Sequence, residues 1–232
     1  MLHLVYSPKW FYGEAILIDL VSVFVLALVA FFSLRYYKIK KNENYLYLAI
    51  SFGILALSFI FKILMNFSMN YNEVETRQVG LMVLTYQTVE SSDILFFLGF
   101  LLYRILTLVG LYVLYSLYHK QTKQNHFLIV SLLVALAYFS YSSYYVFHTV
   151  SFILLILILI QYLTNYVDKK HFSTILMTIS FVTIAFSQIL FILIGFNPEI
   201  YVAAELTQLI GYIGILTTFL TVLKSGYKKN KN

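Results

Sequence analysis

The sequence predicts an all-α polytopic membrane protein of seven transmembrane helices: two parallel three-helix repeats joined by a linker helix. Three observations predict it. Charged residues make up only 11% of the chain and hydrophobic ones 61%, against about 25% charged in a soluble domain. Apolar stretches close to the roughly 20 residues that cross a bilayer recur along the whole length. The first three of these stretches resemble the last three.

The spans fall at 14–34, 45–66, 94–118, 126–143, 146–165, 172–194 and 199–223. Residues 1–232 then form a single membrane domain, with repeat one at 14–118, the linker helix at 126–143 and repeat two at 146–223. Glu14 and Asp19 at the start of the first span are unlike a cleaved signal peptide. The chain has no cysteine, which excludes disulfides and thiol chemistry.

Twelve of the sixteen basic residues sit in four segments at span ends: 35–41, Lys120 with Lys123, Lys169 with Lys170, and 224–231. They alternate with segments that are acidic (Glu73, Glu75, Glu90 and Asp93, then Glu199) or uncharged (140–145). The positive-inside rule then places the N-terminus outside and the C-terminus in the cytoplasm. A basic excess confined to span ends is not a nucleic-acid footprint, so no nucleic-acid partner is expected.

At a shift of 129 residues, "ISFGILALSFIFKILMNF" (50–67) falls on "ISFVTIAFSQILFILIGF" (179–196), with nine of eighteen positions identical. Ser51 matches Ser180, Ser58 matches Ser187 and Phe67 matches Phe196. The same register pairs Lys40 with Lys169 and Lys41 with Lys170 in the loop before. The third and seventh spans match at a shift of 101, "LVG" (108–110) on "LIG" (209–211). The change of shift is about the size of the long outer loop, 67–93. Each repeat starts outside, so the two are parallel and related by an axis along the membrane normal.

Seven spans, an outside N-terminus and a 3+1+3 duplication resemble the transporter–opsin–receptor architecture. That group includes SWEET-type sugar transporters, PQ-loop proteins and microbial rhodopsins. The resemblance covers the membrane domain as topology. The chain departs from the group's motifs: it has no Pro-Gln pair, and its only prolines are Pro8 and Pro198. Span 199–223 has no lysine for a retinal Schiff base, and "LYSLYHK" stands where many receptors carry Asp-Arg-Tyr.

Ionisable residues inside spans are costly and point to function by default. The candidates are Asp19, Lys62, Arg104, His148 and Glu205. Counted from the basic span ends, Asp19 and Arg104 stand about 24 Å up and Glu205 about 28 Å, in the outer half of a core about 30 Å thick. In the repeat register Arg104 aligns with Glu205, Asp19 with His148, Phe59 with Gln188 and Lys62 with Phe191. Glu205, Gln208 and Tyr212 share one helix face. A polar pocket between the repeats is therefore expected, with Asp19, Arg104, His148, Gln188, Glu205, Gln208 and Tyr212 as its ligand-binding residues. The competing expectation for Arg104 and Glu205 is a structural salt bridge tying the third and seventh helices. Asp19 is expected to be hydrated and Lys62 to snorkel to the outer surface. The matched serines also serve as packing contacts between membrane helices.

The outer loop has the length of a lid or binding loop, and its apolar stretch 79–84 suits the membrane interface. Most of the 21 tyrosines, Tyr138, Tyr141, Tyr144 and Tyr145 among them, suit an interfacial aromatic belt. No catalytic constellation, metal-ligand cluster or phosphate loop stands out, so neither an enzyme nor a cofactor is expected. The richness in Lys, Asn, Ile and Tyr suggests a prokaryotic cell membrane.

Two functions of different class fit. One is a receptor-like, ligand-binding membrane protein with a polar outer-half pocket; the other is a small-solute or proton-coupled transporter. A non-catalytic scaffold subunit is the third. The expected partners are the lipid bilayer and either a small polar ligand or another membrane protein. Missing hinge prolines and apolar inner halves favour the receptor-like reading. A sealed inner half under an open outer cup would suit it, whereas a route open toward Lys40 and Lys169 would suit transport.

Overall fold

The computed structural model describes residues 8–71, 75–79, 82–86, 89–91, 93–117, 123–140, 143–169 and 172–229. Glu73, Lys120, Tyr141, Lys170 and Lys231, and positions 80–81 of the apolar loop stretch, lie outside the described residues.

Seven α-helices form the membrane domain: α1 (Tyr12–Lys40), α2 (Glu43–Phe67), α3 (Asp93–Ser116), α4 (Lys123–Phe139), α5 (Tyr144–Lys169), α6 (Phe172–Leu193) and α7 (Ile200–Lys229). Among the described residues six are long and apolar enough to cross a membrane, so the chain is an integral membrane protein. The exception is α4, with 17 residues. At 1.5 Å per residue it measures about 25 Å, short of a hydrocarbon core about 30 Å thick. The expected fourth span, 126–143, thus ends early, at Phe139, because a turn at Ser140 stands there instead of another helical turn.

Short connections fix the neighbours. Lys41 takes a left-handed conformation (φ 53°) and its N–H donates to the Tyr37 carbonyl, ending α1. Asn42 follows as N-cap of α2, its side-chain oxygen accepting from the Asn44 N–H at 3.0 Å. Two residues therefore reverse the chain. Between α6 and α7, Asn197 accepts from the Glu199 N–H at 2.9 Å, and Pro198 stands two residues before α7.

The helices close into a ring in the order α1, α2, α3, α5, α6, α7, with α7 packing back on α1. α4 stands outside it, against α3 and more lightly against α5. The core runs along the ring's axis and is built from Leu26, Phe52, Leu108, Ile158, Phe181 and Ile215, all essentially inaccessible. The outward face is apolar too: Leu17, Phe24 and Phe31 of α1 are 63%, 64% and 59% exposed. A helix apolar on both faces is a membrane helix, with lipid covering the outer one.

The loop after α2 is not structureless. β1 (Met69–Tyr71) pairs antiparallel with β4 (Val89–Ser91), and β2 (Glu75–Val79) with β3 (Met82–Tyr86). Both ladders fold the loop back on itself, with Val79 opposite Met82. The Thr, Val, Leu and Tyr of β3 suit a strand. The end of the bundle carrying this loop and α1's start is the loop end; the other, carrying Lys38, Lys40 and Lys41, is the lysine end.

Candidate functional site

Three helices bring three charges together near the loop end. Lys62 of α2 donates to Asp19 Oδ1 of α1 at 2.7 Å and to Glu205 Oε1 of α7 at 2.5 Å. Asn66, one turn beyond Lys62, donates to Asp19 Oδ2 at 3.4 Å. Asp19, Lys62 and Glu205 are 0%, 5% and 1% exposed. Asp19 is therefore buried rather than hydrated, and Lys62 is held between two carboxylates instead of snorkelling. The ammonium also lies 5.3 Å from the Phe59 ring centre and 5.9 Å from that of Tyr103. Two carboxylates and one ammonium leave the network at −1 when all three are ionised. Such a network is costly to desolvate, and losing one partner leaves a charge buried without compensation.

Arg104 does not join it. Among the described residues no carboxylate lies within ion-pair distance of its guanidinium, so Glu205 pairs with Lys62 and not with Arg104. Arg104 Nη1 donates to the Ser140 carbonyl at 2.5 Å and to Ser140 Oγ at 2.6 Å. The guanidinium lies 3.8 Å from the Phe100 ring centre and 5.1 Å from that of Phe147. Ser140 closes α4, its N–H bonded to the Leu136 carbonyl. Arg104 thus supplies a cation to the negative end of a helix dipole and fastens α4 to α3.

His148 and Gln188 meet on the other side of the ring. His148 Nδ1 and Gln188 Oε1 are 2.9 Å apart, and Gln188 Nε2 donates to Ser187 Oγ at 3.3 Å. The imidazole stacks on Phe191 with ring centres 4.7 Å apart.

Below the ion network, toward the lysine end, lies a small cavity of about 20 Å³. Its polar lining is Tyr103, Thr107, Ser151, Gln188, Gln208 and Tyr212. Gln208 sits one helical turn from Glu205, and its amide nitrogen donates to Tyr212 Oη at 3.1 Å. Phe59 and Tyr103 separate cavity from ion network, with Phe59 edge-on to Tyr212 at 5.5 Å.

The two ends of the bundle differ. At the loop end Phe11, Ala15, Phe191, Ile194, Tyr201 and Ala204 form one buried cluster above the ion network. Tyr201 is edge-on to both Phe11 (6.4 Å) and Phe191 (5.8 Å). The open outer cup suited to a receptor-like protein is therefore closed here by packed side chains. At the lysine end an open vestibule of about 250 Å³ enters between α1, α2, α5, α6 and α7. Tyr36, Tyr45, Tyr162, Met177, Thr218 and Phe219 line it. One aromatic layer parts vestibule from cavity: Phe52 against Phe219 at 6.3 Å, and Phe181 against Tyr162 at 5.3 Å.

Of the seven residues expected at one pocket, Gln188, Gln208 and Tyr212 line the central cavity. Asp19 and Glu205 hold Lys62, His148 holds Gln188, and Arg104 holds Ser140. Tyr103, Thr107 and Ser151 in the cavity, and Asn66 beside Asp19, were not expected. The signal for them was helical spacing: Asn66 is four residues from Lys62, Thr107 three from Arg104 and Ser151 three from His148. No family pattern, no curated protein and no solved structure matches the chain.

Proposed function

We propose that this protein is a small-solute membrane transporter, in a conformation closed at the loop end and open at the lysine end. The carrying observation is the asymmetry of the two ends, a packed aromatic cluster at one and an open vestibule of about 250 Å³ at the other. With the lysine end cytoplasmic by the positive-inside rule, this is a carrier shut at its outer end, whose cytoplasmic vestibule stops at a closed inner layer. The Asp19–Lys62–Glu205 network is its outer gate, and the Phe52, Phe181, Phe219 and Tyr162 layer its inner one. The chemistry is movement of a solute, and no catalytic step is assigned.

Paired contacts support reading the bundle as two repeats that rock against each other. Gly110 packs so closely on α2 that an added methyl would meet Leu55 Cγ at 2.9 Å. Gly211, its counterpart, packs still closer on Ile184, which stands 129 residues after Leu55. Ser58 Oγ donates to the Leu55 carbonyl and Ser187 Oγ to the Ile184 carbonyl, both at 2.7 Å.

The receptor-like reading keeps one supporting observation, the paired strands of the outer loop, which suit an external binding surface. The test is a thermal-shift screen of sugars, amino acids, ions and lipids on the purified protein, with Glu205→Gln beside wild type. Compounds that stabilise it are then assayed for counterflow in proteoliposomes. A carrier gives flux that Glu205→Gln abolishes. A stabilising ligand that is never moved overturns the transport reading in favour of the receptor-like one. No ligand, together with a large stability loss in the variant, points to the scaffold.

A further inference from the structure

The central cavity carries two buried polar atoms with no partner, Ser151 Oγ and Gln208 Oε1. Both residues line it, and they are 1% and 4% exposed. We infer that the cavity is a binding site for one hydrogen-bond donor the size of water, either water itself or ammonium, held between Ser151 Oγ and Gln208 Oε1. The inference goes beyond the transport reading and does not depend on it.

Chemistry and size both point to this occupant. A polar atom left unpaired in a membrane interior forfeits its hydrogen bond. Other span serines avoid this by bonding their own helix: Ser22 to the Ile18 carbonyl, Ser33 to Val29 and Ser180 to Leu176. Ser151 forms no such bond, so its hydroxyl is left for the cavity. One N–H of the Gln208 amide donates to Tyr212, and its oxygen, an acceptor, is the atom left without a partner. A particle satisfying both residues must donate to Gln208. A volume of about 20 Å³ admits one water-sized particle, since a site for one needs about 10–15 Å³. Solutes of several heavy atoms are excluded.

Water and ammonium share this donor chemistry and this size. The setting also suits a cation: the walls include the rings of Tyr103, Phe147 and Phe181, and aromatic faces attract ammonium. The ion network one turn away, at Glu205, has an excess carboxylate.

The test is a double-mutant cycle with Ser151→Ala and Gln208→Met, read as melting temperature of the purified full chain in lipid nanodiscs. If one particle bridges both residues, the first substitution releases it and the second then costs less. The double variant melts higher than the sum of the single losses predicts. Ser151→Val adds a second reading: it stabilises an empty cavity by filling it and destabilises an occupied one. The salt arm compares ammonium chloride with sodium chloride at equal ionic strength. Ammonium as occupant raises the wild-type melting point and leaves Ser151→Ala unmoved; water as occupant gives equal melting points. Additive losses, or a stabilising Ser151→Val, overturn the inference.

Discussion

The two seams that join the halves of the ring are built from different chemistry. Where α1 and α2 meet α7, the link is ionic: Lys62 donates to Asp19 and Glu205 in a site no more than 5% exposed. Where α3 meets α5, the link is aromatic, with Tyr103 and Phe147 ring centres 5.5 Å apart. Its one cation, Arg104, is spent on the end of α4. The same contrast holds 129 residues apart, for Lys62 on Asp19 becomes Phe191 stacked on His148. Similar helix packing therefore carries an ionic contact on one side and an aromatic one on the other; in the proposed carrier the first is the latch and the second the hinge. Ionic contacts depend on keeping all partners together, while ring contacts tolerate sliding. A seam that opens and a seam that pivots need those two properties.

The largest effect separates latch from hinge. Lys62→Met leaves Asp19 and Glu205 buried together without their ammonium, and it costs about 3–5 kcal/mol of stability. Replacing all three residues with apolar ones of similar size (Asp19→Leu, Lys62→Met, Glu205→Met) recovers most of that loss. Denaturant or thermal unfolding in mild detergent measures both. A triple variant as unstable as Lys62→Met would show that packing, not charge, holds this seam.

Next comes the close helix approach. Gly211→Ala forces a methyl against Ile184 and the Ser180 carbonyl, whereas Gly110→Ala meets mainly the movable Leu55 side chain. Overpacking costs about 1–3 kcal/mol, so Gly211→Ala is the more damaging of the pair in the same unfolding assay. Phe191→Leu, at the repeat counterpart of Lys62 in the loop-end cluster, is smaller, at about 1 kcal/mol for a shape change that keeps the site apolar. Smallest is Lys41→Gly in the α1–α2 turn. Its left-handed backbone suits glycine, so stability holds or rises by up to about 1 kcal/mol in the same assay.

Much of this could be read from the chain, and the failures share a cause. Helix periodicity and the α2–α6 likeness were explicit in the residues, because burial against lipid on one side and protein on the other leaves few alternatives. Depth was readable too, since rise per residue is constant: Asp19, Arg104 and Glu205 do lie toward the loop end. Rotation about each helix axis was not. Arg104 and Lys62 both reach the level of Glu205, and only the turn of α3 toward α4 decides that Lys62 meets it. α4 read as a full span because no charge follows its apolar run as far as Tyr145, whereas the helix ends at Phe139 and Ser140 stands in a turn. The outer loop read as irregular because short strands with a polar alternation give little periodic signal.

The most direct measurement uses the absence of cysteine from the sequence. Single cysteines go at Ser173 in the vestibule and at Ala204 in the loop-end cluster, in the wild-type background and with Asp19→Asn plus Glu205→Gln. Each is challenged with a membrane-impermeant maleimide from one side of oriented vesicles. A latched carrier predicts that Ser173→Cys reacts from the lysine side, while Ala204→Cys is protected until the two carboxylates are neutralised and then reacts from the loop side. Ala204→Cys reacting from the loop side in wild type, or staying protected after neutralisation, would contradict it.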